Sequence, residues 1–475
     1  MRNSPSYTAS YRLTVEESRT SIAGVVDAVA ATGAEVKGFD VADSDRGRLV
    51  IDLTCDMRNS EHRREVRAAL AALPGVSVSS VADQTFMSHI GGKIEISSKV
   101  PLRNRDDLSR AYTPGVARVC TAIHDMPQKA HLLTMKANTV AVVSDGTAVL
   151  GLGDIGPEAA LPVMEGKAVL FKEFGGVDAW PVVLDTKDTE EIISIVKAIA
   201  PAYGGINLED ISAPRCFEIE ERLRAELDIP VFHDDQHGTA IVVLAALINA
   251  LKLVGKRIED VRIVVSGVGA AGNAIIRLLL AQGARDIVGY GRTGALAADD
   301  TEGMHPSRKA LAEATNPRLV HGGLREGLVD ADVFIGVSQG DILTGDDIAT
   351  MAQDAIVFAL ANPTPEVDPI AAAEHAAIVA TGRSDFANQI NNVLAFPGLF
   401  RGLLDAKVKE ITTELLRVAA VAIAEVISSD ELSANYIIPG VFDERVAPAV
   451  SREVRRAVRD LPTVDIPVQE DLRVE

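Results

Sequence analysis

The chain has 475 residues, 47% of them hydrophobic and 24% charged, with a net charge of -20. That length leaves room for roughly two to four domains. The acidic balance argues against a nucleic-acid partner, because phosphate binding needs a basic surface; an anionic substrate would need locally placed Lys, Arg or a metal ion. The three cysteines, Cys55, Cys120 and Cys216, form no C-x-x-C pair and no even set. A reducing cytoplasm fits them better than a disulfide framework. No segment reads as a signal peptide, and the apolar run AIVVLAALINALKLV is too short and interrupted to span a bilayer.

Residues 1–86 read as a separate small domain. YTASYRLTVE is strand-like, SIAGVVDAVAATG has helical spacing, and EVKGFDVAD and RLVIDLTCDM alternate as strands do. EHRREVRAALAAL is an amphipathic helix and VSVSSVADQTF a last strand. The order β-α-β-β-α-β is a ferredoxin-like arrangement. It is similar to an ACT-type regulatory domain, which implies a small-molecule effector; a dimerisation or linker module is the alternative.

Residues 87–240 follow a mixed connector. NTVAVVSDGTAVLGLGDIG predicts two short strands with a tight turn at Asp145-Gly146, and MEGKAVLFKEFGG the start of a helix. AWPVVLD, GGINLEDIS and IPVFHD read as strands that alternate with the helices TEEIISIVKAIAPAY and FEIEERLRAEL. Strands alternating with helices predict a parallel sheet.

Residues 241–395 repeat that alternation. VRIVVSGVGAAGNAIIRLLLAQGARDIVGYG is strand, glycine loop, helix, strand, and DVFIGVS, AIVFALANPTPE and AAIVATGRSD are further strands with polar ends. This predicts a Rossmann-type doubly wound α/β domain beside an α/β substrate domain. The tail 396–475 reads as helical and is expected to pack back on the catalytic part.

The loop Gly267, Val268, Gly269, Ala270, Ala271, Gly272 matches G-x-G-x-x-G between an apolar strand and a helix. Its glycines let backbone N–H groups approach a pyrophosphate at a helix N-terminus. The acidic residue expected at the end of the next strand is missing. Tyr290-Gly291-Arg292-Thr293 stand there, and Arg292 can accommodate a 2′-phosphate. NAD is the expected cofactor, with NADP as the alternative.

Tyr112 lies on a Pro-Gly turn and is a candidate proton donor, or else a core tyrosine. Lys167 stands at the expected start of an apolar helix, where burial would lower its pKa and make it a base; a snorkelling surface lysine is the alternative. HDDQH, residues 233–237, invites a zinc reading through His233 and His237. The carboxylates invite another. Glu209, Asp210 and Asp235 end two strands of one parallel sheet and can converge in one crevice. Three hard oxygen ligands select Mg²⁺ or Mn²⁺. Asp234 or Asp235 can alternatively cap the following helix. His233 and His237 then become packing or hydrogen-bonding residues.

Over about residues 88–445 the chain resembles the malic enzyme family. The resemblance rests on Tyr112 in YTPGVA, LGLGDIGPEAALPVMEGK, INLEDISAP, FHDDQHGTA, SGVGAAG, FALANPTPE and GRSDFANQINNVLAFPGLFRG, with DDQHGTA of bacterial type. It implies oxidative decarboxylation of (S)-malate to pyruvate and CO₂ with reduction of NAD(P)⁺. In it Lys167 would be the general base, Tyr112 the general acid, and Glu209, Asp210 and Asp235 the metal ligands. Asp234 would tune Lys167 or the metal waters. Asn362 and the pair Asn391 and Asn392 would contact substrate or cofactor. An arginine of larger members before LGLGD is absent, and Lys136 is the expected substitute for the substrate carboxylate. A homodimer or higher homo-oligomer is expected. The other readings are an amino-acid dehydrogenase, which needs no metal, and a non-catalytic metabolite sensor.

Overall fold

The computed structural model describes residues 3–149 and 151–458. The chain divides after Ile96 into two compact units.

The N-terminal unit is built from β1 (Ser4–Glu16), α1 (Ile22–Ala31), β2 (Glu35–Asp45), β3 (Arg48–Met57), α2 (Ser60–Ala71) and β4 (Val76–Asp83). The sheet order is β2-β3-β1-β4, with every pair antiparallel. This is the β-α-β-β-α-β order expected from the sequence. Alternation in β1 and β3 puts Tyr11, Leu13, Val15, Ile51, Leu53 and Cys55 on one buried face. The other face carries polar pairs: Arg12 donates to Asp52 at 2.6 and 2.8 Å, and the Ser10 and Thr54 hydroxyls meet at 2.9 Å. Ser21 and Asn59 cap α1 and α2 through their side chains.

The second unit opens with a peripheral stretch containing α3 (Arg105–Ala111) and α4 (Val116–Asp125), the latter without one buried residue. Then come β5 (Thr139–Ser144), α5 (Pro157–Gly175), β6 (Asp178–Val183), α6 (Thr189–Ile199), β7 (Gly205–Leu208), α7 (Arg215–Glu226) and β8 (Val231–His233). These strands form a parallel sheet ordered β6-β5-β7-β8.

Two expectations change here. The two strands predicted in NTVAVVSDGTAVLGLGDIG reduce to one. Gly146, Gly151, Gly153 and Gly156 have positive φ, and only a single bridge, Val149 to Gly153, survives. The helix predicted from Met164 begins seven residues earlier, at Pro157, a favoured first position because proline has no N–H to lose. Lys167 therefore sits in the middle of α5, not at its start.

The helix α8 (Thr239–Val254) leads into β9 (Arg262–Ser266), α9 (Ala270–Gln282), β10 (Asp286–Gly291), β11 (Gly294–Ala295), β12 (Val333–Gly336), β13 (Ile356–Ala359) and β14 (Ile378–Thr381). The sheet order is β11-β10-β9-β12-β13-β14, parallel except for β11. The order in which successive strands are added reverses beside β9, the switch point where a doubly wound sheet opens a crevice.

All residues from Ala240 to Leu247 are buried, as expected of a helix apolar all round. Among the described residues, the helical run Asp234–Val254 alone is long and apolar enough to cross a membrane, and it is 67% buried inside the unit. It packs on α9 and on α11 (Thr413–Ala424) as a core helix. The expected C-terminal helices include α10 (Phe396–Ala406) and α12 (Val446–Ala457), and α10 packs on α5 and α12. Residues 459–475 of the expected helical tail lie outside the described residues. Phe171, Phe396, Phe400 and Phe232 form a ring cluster with centroids 4.7 to 5.8 Å apart. Each buries about 2–3 kcal/mol worth of apolar surface, which clamps α5 between α10 and the parallel β6-β5-β7-β8 sheet.

Candidate active site

The site grows from the carboxyl ends of β7 and β8. β7 stops at Leu208, and Glu209 and Asp210 follow, Asp210 in the left-handed region at φ 54°. β8 stops at His233, and one turn of π-helix, Asp234–Gly238, joins it to α8. The Asp210 N–H donates to Asp235 Oδ2 at 2.9 Å, which ties the two loops together. Glu209, Asp210 and Asp235 each offer a carboxylate oxygen, all within 4.8 Å of one another. The sequence expectation brought together these same three residues.

Their protonation reflects the crowding. Burial, then the neighbouring Asp235, pushes Asp210 up to about 7. Burial likewise pushes Glu209 and Asp235 up. Three close carboxylates whose charge is this costly to bury call for a cation, and hard oxygen donors fit Mg²⁺ or Mn²⁺. Neither histidine belongs to the group. His237 Nε2 pairs with Glu220 Oε1 at 2.8 Å, and His233 is fully buried with Nδ1 3.7 Å from Asp235 Oδ2.

Lys167 reaches this group from α5. Its Nζ lies 2.7 Å from Asp234 Oδ2, 3.0 Å from Glu209 Oε1 and 4.2 Å from the Phe396 ring centroid. Burial lowers the lysine pKa, but Asp234 and Glu209 outweigh it and the net shift is upward. The lowered pKa expected from burial alone is therefore corrected: as described, Lys167 is an ammonium. Asn392 Nδ2 donates to Asp234 Oδ2 at 3.1 Å and its Oδ1 accepts from Thr239 at 3.2 Å. Asn392 thus orients Asp234. A Cβ on Gly238 would stand 2.1 Å from Asp234 Oδ1 and would push that carboxylate out of place.

Tyr112 is not brought into this buried group. It caps α3 at its C-terminal end and is 67% exposed. Lys136 is a second correction. Its Nζ donates to the carbonyls of Ala200, Pro201 and Tyr203 at 3.1, 3.3 and 2.8 Å. Those bonds tie down the chain after α6, and a lysine so engaged is not free for a substrate carboxylate.

The dinucleotide loop follows β9. Gly267 has φ 99°, and a Cβ there would stand 2.5 Å from the Val337 carbonyl. A Cβ on Gly272 would stand 1.7 Å from the Gly267 carbonyl, so helix and loop close on each other only through glycine. Gly269 precedes α9 without a side-chain cap and has nothing within 4 Å of its Cβ position. The α9 N–H groups, with Ala270 and Ala271 first, are open to an anion. Val268 is buried beside Gly289. Arg292 is exposed in the turn between β10 and β11. Asn362 follows β13, and its Nδ2 lies 2.6 Å from the Cβ position of Gly382 after β14. Asn391 caps the turn before α10 through its side chain, and so holds Asn392 in place.

The sequence reading passed over several supporting residues. Asn207, in the buried strand β7, donates to Glu209 Oε2 at 2.8 Å. Arg215 pairs with the buried Asp145 at 2.8 Å and donates to Thr147 and Ser212. Glu220 accepts from Gln236 and pairs with His237. A signal existed for Glu220. Cys216, Ile219, Glu220 and Leu223 are the buried stripe of α7 at i, i+3, i+4, i+7, and an acid in such a stripe needs a partner.

Residues 91–224 match the malic enzyme N-terminal domain, and residues 236–460 match the malic enzyme NAD-binding domain. This chain belongs to the malic enzyme family. Its activity is the NAD(P)-linked oxidative decarboxylation of malate, with a divalent metal. An NAD-dependent malic enzyme of Geobacillus stearothermophilus is 57% identical over 446 residues, covering 94% of this chain and 93% of that protein. That span takes in most of the N-terminal unit as well. A bifunctional malic/malolactic enzyme of Bacillus subtilis is 56% identical, covering 79% and 92%. The crystal structure of an NAD-dependent malic enzyme from Thermotoga maritima superposes with a TM-score of 0.76 at 49% identity, over 79% of this chain and 99% of that one.

Proposed function

We propose that Lys167 is the general base and Tyr112 the general acid of malate decarboxylation in this chain, and that Glu209, Asp210 and Asp235 hold Mg²⁺ or Mn²⁺. The observation that carries this reading is the buried Lys167 ammonium set between Asp234 and Glu209, beside three converging carboxylates. When bound, the dinucleotide accepts hydride from C2, and the dication acts as a Lewis acid toward the oxygen on that carbon. Glu209 loses its hold on the Lys167 proton once its charge is shared with the dication. With its proton passed to solvent as the dication and substrate enter, the neutral Lys167 amine would take the proton from the substrate hydroxyl. Asp234, fixed by Asn392, keeps the amine aimed through the cycle. Loss of the C4 carboxylate as CO₂ from the oxidised substrate leaves an enolate, and Tyr112, exposed on its arm outside the buried group, would reach it to deliver a proton at C3, giving pyruvate. Asn362 and Asn391 complete the substrate and cofactor contacts.

The surface of residues 97–138 supports the expected homo-oligomer. Val100, Leu102, Leu108, Tyr112 and Met135 are exposed along that one segment, and grouped exposed apolar side chains suit an interaction surface. We assign this arm to contact with a second copy. NAD is the working cofactor, with NADP admitted by Arg292 and by the absence of an acid at Gly291. The domain limits are 1–86, 87–240, 241–395 and 396–475, the first of them an ACT-like effector module, in a cytoplasmic enzyme. The test is nicotinamide reduction with malate and Mn²⁺ in Lys167→Ala and Tyr112→Phe variants. Unchanged turnover in either removes that residue's role.

A further inference from the structure

The helix α7 is the crossover between the two strands that deliver the carboxylates, so it is chained to both metal loops. At its first residue, Arg215 reaches the Thr147 and Ser212 hydroxyls and the buried Asp145 carboxylate. One and a half turns later, Glu220 points the other way, into the π turn. One oxygen of Glu220 accepts from Gln236 Nε2 at 3.0 Å, and the other meets His237 Nε2 at 2.8 Å. Gln236 and His237 are the two residues directly after Asp235. Glu220 itself is 5% exposed and sits among Cys216, Ile219 and Leu223. A buried carboxylate is kept at considerable cost, and here both of its oxygens serve one five-residue turn.

We propose that Glu220 is a positioning residue for the divalent metal: it fixes the Asp235 carboxylate by holding the side chains of Gln236 and His237. The inference rests on the reading of Asp235 as a metal ligand. The physical reason is tolerance. Metal–oxygen distances must be met within about 0.2 Å, whereas a π turn is an irregular element with little register of its own. The Asp210 N–H bond to Asp235 holds one side of the turn, Asn392 holds Asp234, and Glu220 holds the far side. The pairing also gives His237 a structural role: it is a tether of the turn.

The test is Mn²⁺ binding to the full-length protein without malate, by electron paramagnetic resonance titration, with NADH binding by fluorescence as a second readout. Glu220→Ala is expected to weaken Mn²⁺ about 10–100-fold, the usual cost of losing an outer partner of a metal site, with NADH affinity unchanged. Glu220→Gln is expected to stay within about threefold of the parent, because its amide accepts from Gln236 and donates to a neutral His237 ring. Asp235→Asn separates the two layers of the argument. If Asp235→Asn binds Mn²⁺ normally, the ligand reading fails and this inference with it. If Asp235→Asn loses Mn²⁺ while Glu220→Ala retains it, this inference alone is overturned. It is also overturned if Glu220→Gln is as weak as Glu220→Ala, or if Mn²⁺ and NADH affinity fall together. Should Glu220→Ala not fold, Gln236→Ala and His237→Ala carry the test: weaker Mn²⁺ with intact NADH binding supports the brace, and unchanged Mn²⁺ binding refutes it.

Discussion

Lys167 shows how a single position takes its chemistry from its surroundings. Buried alone it would be a weak acid's conjugate base at neutral pH; beside Asp234 and Glu209 it is an ammonium waiting for charge to be drawn off. Replacing it with alanine is expected to lower kcat about 10²–10⁴-fold, the range for losing a general acid–base group. Mn²⁺ binding, measured in the same variant, should persist. The carboxylates give a pH prediction. Burial and Asp235 push Asp210 up to about 7 in the metal-free protein. Below that pH a proton occupies the site and the metal has to displace it. Mn²⁺ affinity should then fall at least about tenfold per pH unit below 7, and calorimetry in buffers of different ionisation enthalpy should show proton release. Gly238→Ala is a third test. Its Cβ would stand 2.1 Å from Asp234 Oδ1, an oxygen of a carboxylate already held by Lys167 and Asn392. A loss of about 1–3 kcal/mol in stability, together with a fall in kcat, is expected from thermal melts and steady-state assays.

At the scale of elements, the parallel sheets were readable because their strands are short apolar runs whose ends turn polar, as in GINLED and IPVFHDD. The convergence of Glu209, Asp210 and Asp235 follows from that pattern alone, since parallel strands share one carboxyl edge. The glycine loop was readable for a similar reason: Gly267 and Gly272 are where the backbone closes to within van der Waals contact. Contacts between distant segments were not readable. Lys136 meets three carbonyls more than sixty residues away, and Asn392 meets Asp234 across 158 positions. No local periodicity encodes such pairings. The start of α5 was missed because two glycines and a proline mask it, although proline at the first turn favours a helix. At the end of β10, Gly291 has room for a side chain, with Val268 at an ordinary 3.5 Å from its Cβ position. Gly291→Asp should fold. By supplying the missing ribose-binding carboxylate it should raise the kcat/KM ratio of NAD⁺ to NADP⁺; an unchanged ratio would show that the 2′ position is read elsewhere.

For the whole molecule, the net charge of -20 sets the problem that the site solves. A dianionic substrate enters an acidic protein, and in the proposed site the positive charge beside it would come from Lys167 and from a dication held by the three carboxylates. The N-terminal unit has its own core of Tyr11, Leu13, Ile51 and Leu53 and needs no residue of the catalytic unit to fill it. Deleting residues 1–86 should therefore leave malate turnover in place and remove any response to small effectors, tested across the amino acids. The central claim is that malate oxidation here is coupled to decarboxylation at a metal held by Glu209, Asp210 and Asp235. The direct measurement is the ratio of pyruvate to reduced nicotinamide formed from malate and Mn²⁺, in the parent protein and in Asp235→Asn, each with and without a chelator. The account predicts a one-to-one ratio in the parent, abolished by the chelator and by Asp235→Asn. Nicotinamide reduction that survives the chelator, or that yields oxaloacetate without pyruvate, would contradict it.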